Sequence, residues 1–252
     1  MINFKKTIFY HDPFPHLLVD DFLEPIFYEK ICKEFPSQDK FYSMQEKSLN
    51  KTKFNKNQFS SEGKNKEQFK NFINQNESLK LFYDYFQSQE FIIKLNDVLI
   101  KNNVNTEIVN FREGIIKNLL NKIKKRNKIL FEFSSIPVNN GFIKPHTDGA
   151  KNILGFVIPI IDNEEILKIS NLGTRILKPT TDEYKYNYYN KTVPFEKTEL
   201  VRELPFKKNI MLIHVKTHNS LHAVGPINVE NTNKDIYRKS ISLFLAKENL
   251  YF

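Results

Sequence analysis

A histidine and an aspartate stand two residues apart in Lys144-Pro145-His146-Thr147-Asp148-Gly149, just before an apolar run from Asn152 to Ile161. In an extended strand alternate side chains share a face. His146 and Asp148 are therefore expected to project together, with Thr147 turned away. One imidazole and one carboxylate are two of the three ligands of a two-histidine, one-carboxylate ferrous site, which leaves positions open for a co-substrate and oxygen. The rest of the chain must then supply a third ligand and, for an anionic co-substrate, a cation.

Three histidines can supply the ligand. His214, His218 and His222 follow one another at intervals of four, a spacing that would align all three on a helix as a tri-histidine site. The β character of Ile210-Met211-Leu212-Ile213-His214-Val215 and the breakers Asn219-Ser220 and Gly225-Pro226 argue against that helix. His222 is the expected ligand, at the start of a short strand His222-Ala223-Val224 ended by Gly225-Pro226 and pairing beside the His146 strand. His218 in the connecting loop and His214 within a strand are the alternatives. His16, set among prolines, is expected to be a packed or surface histidine.

The cation is expected at Arg238, which opens the apolar strand Tyr237-Arg238-Lys239-Ser240-Ile241-Ser242-Leu243-Phe244-Leu245. A buried guanidinium must be paired, and it grips a carboxylate through two parallel hydrogen bonds. Ser240 shares its face and can add another donor, which suits the distal carboxylate of a dicarboxylic co-substrate. Taken alone, Arg238 reads as a sheet-edge residue bridged to a surface acid. Following His146, Asp148 and His222 in the chain, the anchor is the preferred reading.

These side chains need a scaffold, and composition bounds it. The chain has 252 residues, 40% of them hydrophobic, with 23 Phe and no Trp. That suffices for one large β-rich domain or two small ones. The single cysteine, Cys32, excludes an intrachain disulfide and a cysteine-based zinc site. No run of 18 apolar residues suggests a membrane span, and the start lacks the features of a signal peptide; a cytoplasmic location is expected. The net charge of +9 and pI of about 9.3 come from lysines scattered among acids. Nucleic-acid binding calls for a clustered stripe instead.

Helices are expected first and a β core after them. Pro15 to Val19 reads as a short strand. Pro25 to Phe35 reads as a helix begun by Pro25, with Pro36 marking its end. Residues 39–63 form a polar loop that could lie over the site. The apolar spacing from Phe69 to Leu99 predicts two amphipathic helices. Residues 115–128 predict a basic helix whose lysines form a solvated face. From Ile129 short strands alternate with turns: Ile129 to Ile136, a turn at Asn139-Asn140-Gly141, then Ile153 to Ile161, Leu167 to Ser170, Arg175 to Leu177, Ile210 to Val215 and Ser240 to Ala246. Such a series suggests an antiparallel sandwich or jelly roll. Residues 180–204 are a Tyr-rich insertion with weak alternation. Glu248-Asn249-Leu250-Tyr251-Phe252 resembles the front of an engineered cleavage tag and is set aside.

Together His146-Thr147-Asp148, His222 within Ser220-Leu221-His222-Ala223-Val224-Gly225-Pro226, and Arg238-Lys239-Ser240 make the chain resemble the Fe(II)/2-oxoglutarate-dependent oxygenase superfamily over about residues 129 to 246. Pro13 to Leu23 is similar to the opening of prolyl-4-hydroxylase-like members. The resemblance implies a double-stranded β-helix (jelly roll) core, 129–246, buttressed by mainly helical residues 1–128 in one domain, 1–247. It implies Fe(II) held by His146, Asp148 and His222, and 2-oxoglutarate held by Arg238 and Ser240. It further implies oxygen-dependent hydroxylation with release of succinate and CO2, with ascorbate as an accessory reductant to test. Collagen-type prolyl hydroxylases anchor the co-substrate with a lysine, and Lys234 is the alternative to Arg238 here. The expected partner is a small-molecule or peptidyl substrate. Two rivals remain: a cupin-like metal protein that uses His146, His214, His218 and His222 without 2-oxoglutarate, and a non-enzymatic β-sandwich binding module.

Overall fold

The computed structural model describes residues 1–44, 54–104, 106, 127–229 and 236–247. Near the N-terminus β1 (Thr7–Tyr10) and β2 (His16–Asp20) form a hairpin. Helix α1 (Pro25–Lys33) follows, with Pro25 in its first turn and the Glu24 carboxylate accepting from the Phe27 amide at 3.1 Å, which satisfies one of the open donors of that turn.

Within the segment expected to be a polar loop lie β3 (Tyr42–Ser43), β4 (Phe54–Asn55) and β5 (Asn57–Ser60). Helices α2 (Lys66–Gln75), α3 (Glu77–Phe86) and α4 (Gln89–Lys101) come next. Three helices thus replace the two expected. The apolar spacing runs on across Asn76 and Ser88 and conceals both breaks. Asn76 turns its amide onto the Phe72 carbonyl at 2.7 Å, and the Ser88 hydroxyl caps the Phe91 amide at 3.2 Å, as short polar side chains do when they compete with helical hydrogen bonds.

The remaining strands are β6 (Asn127–Pro137), β7 (Asn139–His146), β8 (Asn152–Ile160), β9 (Thr174–Pro179), β10 (Thr198–Leu204), β11 (Ile210–Val215), β12 (His222–Asn228) and β13 (Tyr237–Lys247). Among the described residues they form an eight-stranded sheet, β1-β2-β11-β8-β13-β6-β5-β3, and a five-stranded sheet, β10-β9-β12-β7-β4. All the pairings are antiparallel. From β6 to β13 the chain passes back and forth between β11-β8-β13-β6 and β10-β9-β12-β7, the double-stranded β-helix arrangement of a jelly roll.

Several local expectations differ from what is found. Residues Glu164–Lys168 form a 3-10 turn where a strand was expected from Leu167; the Asn163 side chain accepts from the Glu165 amide and starts the turn. β12 does not end at Gly225-Pro226. Gly225 takes φ +69, the pairing with β7 shifts register there, and the strand runs on to Asn228, as at a β-bulge. The turn expected at Asn139–Gly141 is the start of β7, with Asn140 at φ +57. Within the Tyr-rich insertion β10 is an edge strand with little burial, so no alternation marks it. The expected basic helix lies outside the described residues as far as 126, and Asn127 and Lys128 open β6. The 248–252 tail also lies outside them.

Strand alternation divides the large sheet into two faces. On β6, Phe131 and Phe133 join the main apolar core with Phe69, Phe82, Phe86 and Phe91 of the helices, while Glu132 and Ser134 line an internal cavity. On β13, Ile241, Leu243 and Leu245 join that core while Arg238, Ser240, Ser242 and Phe244 line the cavity. Each fully buried Phe contributes roughly 1.5–3 kcal/mol relative to exposure. The helical layer therefore holds one sheet rigid and leaves its inner face free for polar chemistry. No helix of the described residues is long and apolar enough to cross a membrane.

Candidate metal centre

His146 is the last residue of β7 and His222 the first of β12, and the antiparallel register sets them directly opposite each other. Their rings lie 4.4 Å apart between centroids. Nδ1 of His146 is 2.9 Å from the Lys144 carbonyl, and Nδ1 of His222 is 3.0 Å from the Ser220 carbonyl. Each carbonyl can only accept, so each Nδ1 carries a hydrogen, and in the neutral ring this leaves the lone pair on Nε2.

Asp148 completes the group by a different route from the one expected. β7 ends at His146, and Asp148 stands beyond it with φ +66, a left-handed conformation that aspartate tolerates better than most residues. The turn, not strand alternation, brings its carboxylate back over the imidazoles. Oδ1 lies 3.4 Å from His146 Nε2, and Oδ2 lies 3.7 Å from His222 Nε2. Candidate ligand atoms of His146, Asp148 and His222 all fall within 4.8 Å of one another, and all three residues are buried. Thr147, turned away, is buried, and its hydroxyl donates to the Asn187 carbonyl.

The electrostatics suit a cation. Burial alone would raise the Asp148 carboxyl. Its close approach to the His222, His146 and His214 rings outweighs burial and holds the carboxyl well below the usual carboxylate range. Burial pushes the His222 ring down to about 3, with Asp148 opposing and the other two rings adding to the shift. An ionised carboxylate at Asp148 and a neutral imidazole at His222 are protonation states a divalent metal requires.

The same cavity, about 210 Å³, is lined by Arg238 and Ser240. Arg238 is 2% exposed. Its Nε donates to the Leu172 carbonyl at 2.6 Å, one terminal nitrogen reaches Ser240 Oγ at 3.4 Å, and the guanidinium lies 4.8 Å from the centre of the Phe206 ring. Burial lowers it to about 10, so it stays charged at neutral pH. Among the described residues no carboxylate lies within 4.0 Å of it. Glu203 attracts it from beyond that distance, and a buried guanidinium with no carboxylate in direct contact is a receptor for one. Lys234, the alternative anchor, lies outside the described residues.

Phe54, Lys56 and Gln58, from the segment expected to be a loop, also line the cavity, and Lys56 pairs with Glu132 at 2.7 Å. The Tyr-rich insertion contributes Asn190 to the lining, while Tyr186 and Tyr189 are 80% and 82% exposed. Its tie to the centre is Asn187, which receives the Thr147 hydroxyl and whose side chain binds the Lys191 backbone at 2.8 and 2.6 Å. His218 is exposed and stacks on Tyr186, which removes one ligand from a four-histidine, cupin-like site. His16 is a packed histidine, its Nδ1 tied to the Phe14 carbonyl at 2.8 Å. His214, the least favoured of the three late histidines, does reach the centre: its Nε2 lies 2.8 Å from Asp148 Oδ2. One signal in the sequence was available for it, Gly155 in the apolar strand paired opposite.

No family model matches the chain, and no curated protein matches it. Solved structures do. A prolyl-4-hydroxylase from Pseudomonas putida aligns over 92% of this chain and 92% of its own, with 10% identity and a TM-score of 0.43. A prolyl hydroxylase from Trichoplax adhaerens, in complex with a hypoxia inducible factor peptide fragment, aligns over 92% and 83%, with 12% identity and a TM-score of 0.46. A viral collagen prolyl hydroxylase from Paramecium Bursaria Chlorella virus-1, in a 2OG complex, aligns over 92% and 95%, with 11% identity and a TM-score of 0.40. The chain is similar to structures of prolyl-4-hydroxylase-like 2OG-Fe(II) oxygenases. What the centre can do follows from its own side chains.

Proposed function

We propose that the chain is an Fe(II)- and 2-oxoglutarate-dependent dioxygenase. It would hydroxylate a small-molecule or peptidyl substrate and release succinate and CO2. The observation that carries this is the meeting in one buried cavity of the His146, Asp148 and His222 donors with Arg238, a buried cation with no carboxylate within 4.0 Å among the described residues.

His146 and His222 present Nε2 because Lys144 and Ser220 engage the other ring nitrogen. Asp148 supplies negative charge. Three protein ligands leave room for a chelating co-substrate and for oxygen. Arg238 and Ser240 are the residues to bind the distal carboxylate of 2-oxoglutarate, the guanidinium through its fork and the serine through its hydroxyl. The iron and 2-oxoglutarate, when bound, supply the oxidative chemistry; the chain positions them and excludes water.

The test is an anaerobic titration of the protein with Fe(II) and then 2-oxoglutarate, following the metal-to-ligand charge-transfer band. A screen of amino acids, peptides and small metabolites for oxygen-dependent succinate release then follows. Absence of the band with Fe(II) bound would remove the proposal.

A further inference from the structure

His214 enters neither the metal set nor the anion pocket, yet it is 2% exposed and lies against Asp148. It sits on β11, where the register sets it opposite Gly155 of β8. A Cβ on Gly155 would fall 2.2 Å from His214 Cε1 and 2.5 Å from Nε2. The ring therefore occupies space that only a glycine leaves, as where a group approaches a strand closely. Its other neighbour is His222, 4.4 Å away between ring centroids.

The direction of the contact follows from chemistry. The ionised Asp148 carboxylate only accepts, so His214 Nε2 must carry the hydrogen and donate. That nitrogen then has no lone pair for a metal. Nδ1 has no hydrogen-bond partner among the described residues. Oδ2 is held at 2.8 Å by His214 and lies 3.7 Å from His222 Nε2, while Oδ1 has no such donor among the described residues and lies 3.4 Å from His146 Nε2.

We propose that His214 is a positioning residue for Asp148. It holds Oδ2 so that the carboxylate offers a metal one oxygen, Oδ1, and the centre keeps its remaining positions for other ligands. This rests on the metal-binding part of the function proposed above, not on the identity of the co-substrate. Outer partners of this kind orient metal ligands and tune their basicity.

The test uses the full chain with Co(II) as the probe metal. Binding is measured by calorimetry, coordination by the visible absorption spectrum, and imidazole ligands by pulsed EPR. Removing the donor in His214→Leu should weaken Co(II) binding by ~10–100-fold, the usual cost of losing an outer partner. It should also change the visible spectrum as the freed carboxylate takes a second contact, with two imidazole ligands retained. His214→Gln, whose amide nitrogen can occupy the place of Nε2, should restore most of the affinity and the spectrum. Gly155→Ala, which evicts the ring, should behave like His214→Leu. Far-UV circular dichroism checks that each variant is folded.

A His214→Leu protein with wild-type affinity and spectrum overturns the proposal. So does a His214→Gln protein as impaired as His214→Leu, because the donor hydrogen bond would then not be what matters. Loss of one imidazole signal in His214→Leu would make His214 a ligand and overturn it too. If the wild type binds Co(II) and the variants behave as expected, but 2-oxoglutarate leaves the spectrum unmoved, the positioning role stands and the oxygenase proposal falls. If the wild type binds no divalent metal, both fall.

Discussion

Replacing Arg238 by methionine separates two roles that a buried charge can play. In the ligand-free protein the guanidinium is fully buried, donates one short bond to the Leu172 carbonyl, and has no carboxylate partner among the described residues. Burying such a charge costs several kcal/mol even after the protein relaxes. Methionine fills much of the same space without that cost. It leaves the Leu172 carbonyl unsatisfied, a loss of about 1–3 kcal/mol. The two changes oppose each other, so Arg238→Met without ligand should be at least as stable as the wild type. Toward 2-oxoglutarate the balance reverses. Leaving a buried carboxylate without its partner costs about 3–5 kcal/mol, or roughly two to three and a half orders of magnitude in Kd. The assay is thermal unfolding of the Mn(II)-loaded protein against 2-oxoglutarate concentration, with calorimetric Kd values. At 100 times its Kd the ligand should stabilise the wild type by about 2.7 kcal/mol and the variant by almost nothing. A 2-oxo monocarboxylic acid gives the control, since it lacks the distal group and should bind both proteins equally weakly. Unchanged 2-oxoglutarate affinity in Arg238→Met would refute the reasoning and turn attention to Lys234. A large loss of ligand-free stability would show that Arg238 is chiefly structural.

Three other outcomes are expected. His146→Ala and Asp148→Ala should each abolish succinate formation and lower Fe(II) affinity, measured anaerobically, because each removes one of three buried donors. The metal-free protein should lose stability as pH falls from about 6.5 to about 3. The folded His222 ring resists protonation down to about 3 while the unfolded ring takes up a proton near 6.5. The slope due to this group should approach about 1.4 kcal/mol per pH unit between those limits, and His222→Asn should flatten it in urea titrations. Asp148 adds to the loss only below the ordinary carboxylate range, because its folded carboxyl is held lower still. Phe156→Ala should cost about 3–5 kcal/mol in urea unfolding, since this buried ring joins Phe86 and Phe91 of the helical layer to β8 at centroid distances of 6.2 and 5.9 Å.

What could be read from the chain alone was what repeats or alternates. The period of two on β13 separates Arg238 and Ser240 from Ile241 and Leu243, so a cation facing inward from an apolar strand was visible without coordinates. The breakers around His222 ruled out the helical tri-histidine alternative and left a strand start, where the structure has it. What stayed hidden depends on single backbone torsions and on strand register. Asp148 comes beside the imidazoles through its own left-handed conformation after the strand has ended, not through the strand alternation expected. Edge strands such as β10 bury too little to alternate. His214 shows the limit most clearly. Its strand was read correctly, and a histidine on an apolar strand is ordinarily a packed one. Its place beside Asp148 depends on β11 pairing with β8 in the one register that sets it opposite Gly155. Because strand side chains alternate, a slip of one residue would turn His214 out of the cavity and bring Ile213 or Val215 in. The residue that hydrogen-bonds the Asp148 carboxylate is therefore specified by the sheet as a whole, and no local motif around position 214 could have announced it.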